Sequence, residues 1–137
     1  MLVKDILTEA RVVNFTGRYL YHIAVKNPYL SGIMNKGIRP RLARFESQPR
    51  VFLLPSRKHA RSLAAKLRNW RLVGKGTKYS NEWKHEEPTF WLVKIDVGSL
   101  LPGTKIYFDS ASHSYDGLYV TKPIPTQAIV DATAHNY

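Results

Sequence analysis

The sequence predicts an α+β domain, and three observations predict it. The chain has 137 residues, enough to bury one core. Its first half alternates strand-like and helix-like segments, and its second half reads mostly as strands. Cap residues precede the helical stripes, and a glycine closes the best of them. Residues 1–137 are read as one domain, with no repeat and no low-complexity linker.

The elements follow in order. Leu2, Ile6, Leu7, Ala10 and Val13 fall near one face of a helix over 2–13. "RYLYHIAV", 18–25, is aromatic and β-branched and reads as a strand. In "NPYLSGIMNKG", Asn27 is a cap, Pro28 suits the first helical position and Gly37 is the left-handed stop. Leu30, Ile33 and Met34 give its core face. "RPRLARFESQPR", 39–50, holds no period and reads as a basic loop.

"VFLLP", 51–55, is a short buried strand. Ser56 caps a helix over 57–68, whose Ala60, Leu63, Ala64 and Leu67 form one stripe. Arg57, Lys58, Arg61, Lys66 and Arg68 occupy its other face. "RLVGKGTKYSNEWKHEEP" reads as a glycine-containing loop. "TFWLVKIDV", 89–97, "GTKIYFD", 103–109, and "LYVTKPI", 118–124, are strands, with "SASHSYDG" a turn between the last two. "PTQAIVDA" reads as a short closing turn or helix. Strands 19–25, 51–55 and 89–97 are expected in one central sheet region, with the 28–36 helix against them.

Composition narrows the function classes. With 44% hydrophobic residues, wholesale disorder is excluded. No apolar run approaches the roughly 18–20 residues of a membrane helix. "MLVKDILTEARVV" carries charge throughout and has no signal-peptide core, so a cytoplasmic location is expected. Cysteine is absent, which removes disulfides and thiolate metal sites. The formal net charge of +11 attracts polyanions, and RNA or DNA is the expected partner. Nucleotides and anionic membranes suit the same charge, and so does a merely solvated basic surface.

His22 stands out, because it interrupts an apolar strand. It shares a face with Leu20 and Ala24. Such a histidine serves either as a hydrogen-bonded structural residue or as part of a site. Its neighbours in the chain bear on the choice.

The order "YHIA…L-x-x-I-x-x-x-GIRP…VFLLPS…FWLVKIDV…IPTQAI" resembles the ADP-ribosyltransferase superfamily over roughly residues 19–130. It is most similar to the compact nucleic-acid-directed members, such as RNA 2′-phosphotransferases and DNA-modifying toxins. No single motif carries the resemblance; the order of five does. It implies a split β-sheet with short flanking helices and an NAD-type cofactor in a cleft between two small sheets. It also implies transfer to a nucleic-acid or protein target. His22 matches the histidine that hydrogen-bonds the cofactor ribose. Phe52 matches the aromatic that stacks on nicotinamide, and Ser56 the serine lining the same pocket.

The family usually places a glutamate near the start of the last core strand, where it steadies the charge that develops as nicotinamide leaves. Here that strand reads "SYDGLYVTKPI", with Gly117 or Leu118 at the expected place. Asp116 comes slightly early and is the candidate acid, but Asp-Gly is also a turn signal. Members that act on 2′-phosphorylated RNA work without the glutamate. A catalytically inactive nucleic-acid-binding or inhibitory module on the same fold is therefore the alternative.

Basic residues surround the expected cleft in sequence. Arg18 precedes His22 on the same nominal face and is read with the cofactor. Arg39, Arg41, Arg44 and Arg50 are read as nucleic-acid contacts, since guanidinium forks suit phosphate oxygens. "WKHEEP" has no second histidine at metal spacing, so no metal is expected. There is no P-loop and no G-x-S-x-G.

Overall fold

The first strand, β1 (Tyr19–Ala24), carries apolar side chains on both faces and so requires cover on both. In the computed structural model, which describes residues 11–24, 27–40, 49–73, 89–109 and 117–136, that cover comes from two sources. A helix packs on one face and a second sheet on the other. The elements after β1 are α1 (Asn27–Lys36), β2 (Val51–Leu53), α2 (Arg57–Val73) and β3 (Thr89–Asp96). A 3-10 turn at Val97–Ser99, β4 (Tyr107–Phe108), β5 (Leu118–Val120), a 3-10 turn at Thr126–Ala128 and β6 (Ile129–Asn136) follow.

The strands form two three-stranded antiparallel sheets, in the orders β1-β3-β6 and β2-β5-β4. The α+β class is therefore shown. Central β3 carries a run of four apolar residues, Phe90–Val93, as suits a strand paired on both edges and covered on both faces. Leu20, Ala24, Val93 and Ile95 of the first sheet meet Val51, Leu53, Leu118 and Val120 of the second in the main core. On the other face, Tyr21, Phe90 and Leu92 pack with Leu54 against Ala60 and Ala64 of α2. Alanines at those two positions bring the helix axis close to the sheet.

The sheets are stitched where β1 passes β2. Tyr21 N–H donates to the Leu54 carbonyl at 3.0 Å, and Leu54 N–H returns the bond at 2.8 Å. A second stitch holds the end of α1. Ile38 and Ile124 exchange backbone hydrogen bonds of 2.9 and 2.8 Å. Gly37, between the helix and that bridge, has φ +79°, and its N–H donates to the Ile33 carbonyl at 2.8 Å. A Cβ there would overlap the Ile124 carbonyl oxygen, so glycine is required both by dihedral and by space.

Several expectations need correction. Of the helix expected over 2–13, residues 1–10 lie outside the described residues, and the rest is extended. Val12 bridges Tyr107, with Val13 N–H on the Ile106 carbonyl at 2.7 Å. The 103–109 strand shrinks to Tyr107–Phe108, because a turn at Pro102–Gly103 with φ +78° at the glycine precedes it. The 118–124 strand stops at Val120. "PTQAIVDA" supplies only one 3-10 turn, and from Ile129 the chain is a full strand on β3. Helix α2 continues to Val73, into the stretch read as a loop. Strands 19–25, 51–55 and 89–97 do not share one sheet: β2 belongs to the second, joined to β1 at the Tyr21–Leu54 bridge. Ile33 of α1 is buried, but Met34 is 45% exposed and not part of the core face.

Candidate functional site

The site is built outward from His22. Its register partner is Val93, and its strand neighbours Leu20 and Ala24 lie in the main core. The half-buried imidazole reaches across to β2, with Nδ1 2.8 Å from the Phe52 carbonyl oxygen. A carbonyl only accepts, so Nδ1 must carry the proton and donate. In the neutral ring Nε2 is then the acceptor. The bond fixes tautomer and ring orientation together.

Phe52 meets His22 through its main chain. Its ring turns the other way, because Val51 and Leu53 point into the core and Phe52 alternates with them. There it packs against Tyr119, its register partner, with ring centroids 6.4 Å apart and tilted 59°. Tyr119 in turn stacks on its partner on the other side, Tyr107, at 5.1 Å. Val12 pairs with Tyr107 and extends the row. The outer face of the second sheet thus carries Val12, Tyr107, Tyr119 and Phe52 straight across its strands. The Arg50 guanidinium lies 4.1 Å from the centre of the Tyr119 ring, a close cation–π contact.

Ser56 does cap α2. Its Oγ accepts the His59 backbone N–H at 3.2 Å, and its carbonyl accepts from Ala60 N–H at 3.0 Å. The same hydroxyl lies 2.6 Å from Nδ1 of His59. This side-chain pair makes the first turn of α2 a polar corner just past β2.

The remaining sequence-derived candidates divide. Arg18 precedes β1 and is exposed, with its guanidinium 5.1 Å from the Tyr19 ring, on the face opposite His22. Lys94 sits over the same ring at 4.0 Å. Arg39 is exposed beside the Ile38–Ile124 bridge. Arg41, Arg44 and Asp116 lie outside the described residues. His22, Phe52, Ser56 and Arg50 are therefore gathered around β2, while Arg18 is directed elsewhere.

Sequence reasoning missed Tyr107, Tyr119 and His59. The two tyrosines looked like ordinary strand residues, and only register places them beside Phe52. His59 had a signal: it stands three residues after the capping serine, where a polar side chain can reach back. Among the described residues, no group of three or more metal-ligating side chains occurs and no helix is long and apolar enough to cross a membrane. No protein-family model matches the chain, and no curated protein matches it.

Proposed function

We propose that the chain is an ADP-ribosyltransferase-like transferase that takes an NAD-type dinucleotide and acts on a nucleic-acid or protein target. The observation that carries this reading is the junction of two small sheets at which His22 is locked to the main chain of Phe52. The order of motifs along the chain implies such a split sheet, with a ribose-binding histidine on one side and an aromatic on the other. His22 offers one fixed hydrogen-bonding ring. Phe52, Tyr119 and Tyr107 offer aromatic surface, and Arg50 offers positive charge for a pyrophosphate.

A second reading keeps the fold and the nucleic-acid contacts without catalysis. One observation favours it. Gly117 is two residues before Tyr119 and shares its face, whereas Leu118 points into the core. Glycine therefore occupies the place where the family resemblance calls for glutamate.

Titration of the purified chain with NAD, followed by assay of free nicotinamide, tests the first reading. Saturable binding and nicotinamide release in the presence of RNA, DNA or protein are expected. Binding of nucleic acid with no NAD binding would leave the second reading in its place.

A further inference from the structure

The first sheet ends in an open edge. β6 pairs with β3 along one side, and among the described residues no strand lies along its other side. β6 is 8 residues long, and Val130, Asp131, Thr133 and Ala134 are exposed. Such an edge presents a row of N–H and carbonyl groups that a further strand can take up. Natural edges are commonly blunted by lysine, proline or a bulge. β6 holds neither lysine nor proline, and its register shift, opposite Lys94 and Ile95, falls ahead of Asp131. At the far side of the same sheet the edge is engaged, because β1 is bridged to Leu54 through Tyr21.

Asp131, Thr133 and His135 share one face of β6, and their register partners are Lys94, Leu92 and Phe90. His135 is held in place there. Its ring stacks on Phe90 with centroids 5.5 Å apart at 24°, and its Nε2 lies 2.8 Å from Thr133 Oγ1. Asp131 and His135 stand two residues to either side of Thr133. Ala132 and Ala134 stand one residue to either side, on the opposite face. The run Asp131–His135 is therefore complementary to itself. In antiparallel pairing about Thr133, each Asp131 faces the partner's His135 and each Ala132 faces the partner's Ala134.

We propose that two copies of the chain associate edge to edge through β6, antiparallel about Thr133. Their first sheets join into one six-stranded sheet of order β1-β3-β6-β6-β3-β1. Three strands are few for a sheet, and six lie in the usual range. The interface is isologous, as a two-fold requires: the same residues serve both sides. Charge selects a second copy at this edge. The net charge is +11, so two copies repel over most of their surface. Residues 123–137 contain no lysine or arginine, and their only acid, Asp131, meets the partner's His135. Residues directly opposite have Cβ atoms roughly 4.5–5.5 Å apart, which brings imidazole N–H and carboxylate within hydrogen-bond reach. The small alanines let the backbones close on the other face. Such a dimer needs nothing from the transferase reading.

Sedimentation velocity of the unaltered full chain at about 0.15 M salt, where the Debye length is about 8 Å, should show a dimer that dissociates on dilution. A monomer up to the highest soluble concentration overturns the proposal. Thr133→Lys and Thr133→Glu each set like charges face to face at the two-fold axis. Each should sediment as a monomer alone, and an equimolar mixture should recover the dimer. A dimer in each variant alone, or none in the mixture, overturns pairing about Thr133. Should these variants fail to fold, cross-linking decides. The chain has no cysteine, so Thr133→Cys carries a single thiol. Across the axis its Cα atoms would lie roughly 4.5–5.5 Å apart, within disulfide reach. The thiols of Val130→Cys would lie roughly 20 Å apart along the strands. Mild oxidation should cross-link the first variant and not the second. Equal cross-linking of both, or of neither, overturns the proposal.

Discussion

Nδ1 of His22 lies 2.8 Å from the carbonyl oxygen of Phe52, so a single side chain ties the first sheet to the second. The contact gives the histidine a structural task as well as a candidate ligand-binding one. The two tasks separate by substitution. His22→Asn keeps an N–H donor of similar reach and loses the second ring nitrogen. It should stay within about 1 kcal/mol of the unaltered protein in chemical denaturation and lose NAD binding. His22→Ala should lose both, with a stability cost of about 1–3 kcal/mol. Retained NAD affinity in folded His22→Asn would make His22 a structural residue only.

Gly37 and Gly32 make a matched pair, one inside α1 and one at its end. Gly37→Ala places a side chain at φ +79° and against the Ile124 carbonyl. It should destabilise by more than about 1 kcal/mol. Gly32 is exposed in α1, with nothing within 4 Å of an added Cβ. Gly32→Ala should stabilise by about 0.4–1 kcal/mol. Denaturant midpoints of the two variants check both signs at once.

Binding to RNA or DNA should weaken steeply as salt rises, because neutralised phosphates release their counterions. Replacing Arg39, Arg41 and Arg44 together with alanine should lower affinity for all sequences alike. It should also flatten the log–log salt dependence by about 0.7–0.9 for each phosphate that the variant no longer neutralises. Fluorescence anisotropy across a salt series measures both. An unchanged slope would place the nucleic-acid surface elsewhere.

The elements that were legible are those whose side chains decide their own state. β1, α1, β2 and β3 begin within a residue or so of expectation, since their apolar runs and caps are local signals. β6 was not legible. Asp131, Ala132, Thr133 and Ala134 have no strand signature, and they are extended because β3 offers an edge on which to pair. Residues 11–13 are extended for the same reason, drawn onto β4. The site was half legible. A histidine in an apolar strand announces itself, and so does a serine before a helix. Tyr107 and Tyr119 do not, since each reads as an ordinary strand residue. Only the strand register brings them beside Phe52. Arg18 was misdirected by counting along a strand that begins one residue later.

The strand order β1-β3-β6 also has a consequence in time. β3 leaves the ribosome well before β6, with β4 and β5 made in between. Through that interval β3, with its apolar run Phe90–Val93, has one open edge, and its pairing must wait for a distant partner. Collapse of the second sheet can proceed meanwhile, since β4 and β5 are near neighbours in the chain. Closure of the first sheet over β6 is then the late and slow event, and a nascent chain halted before Ile129 presents β3 as a template for association with other chains.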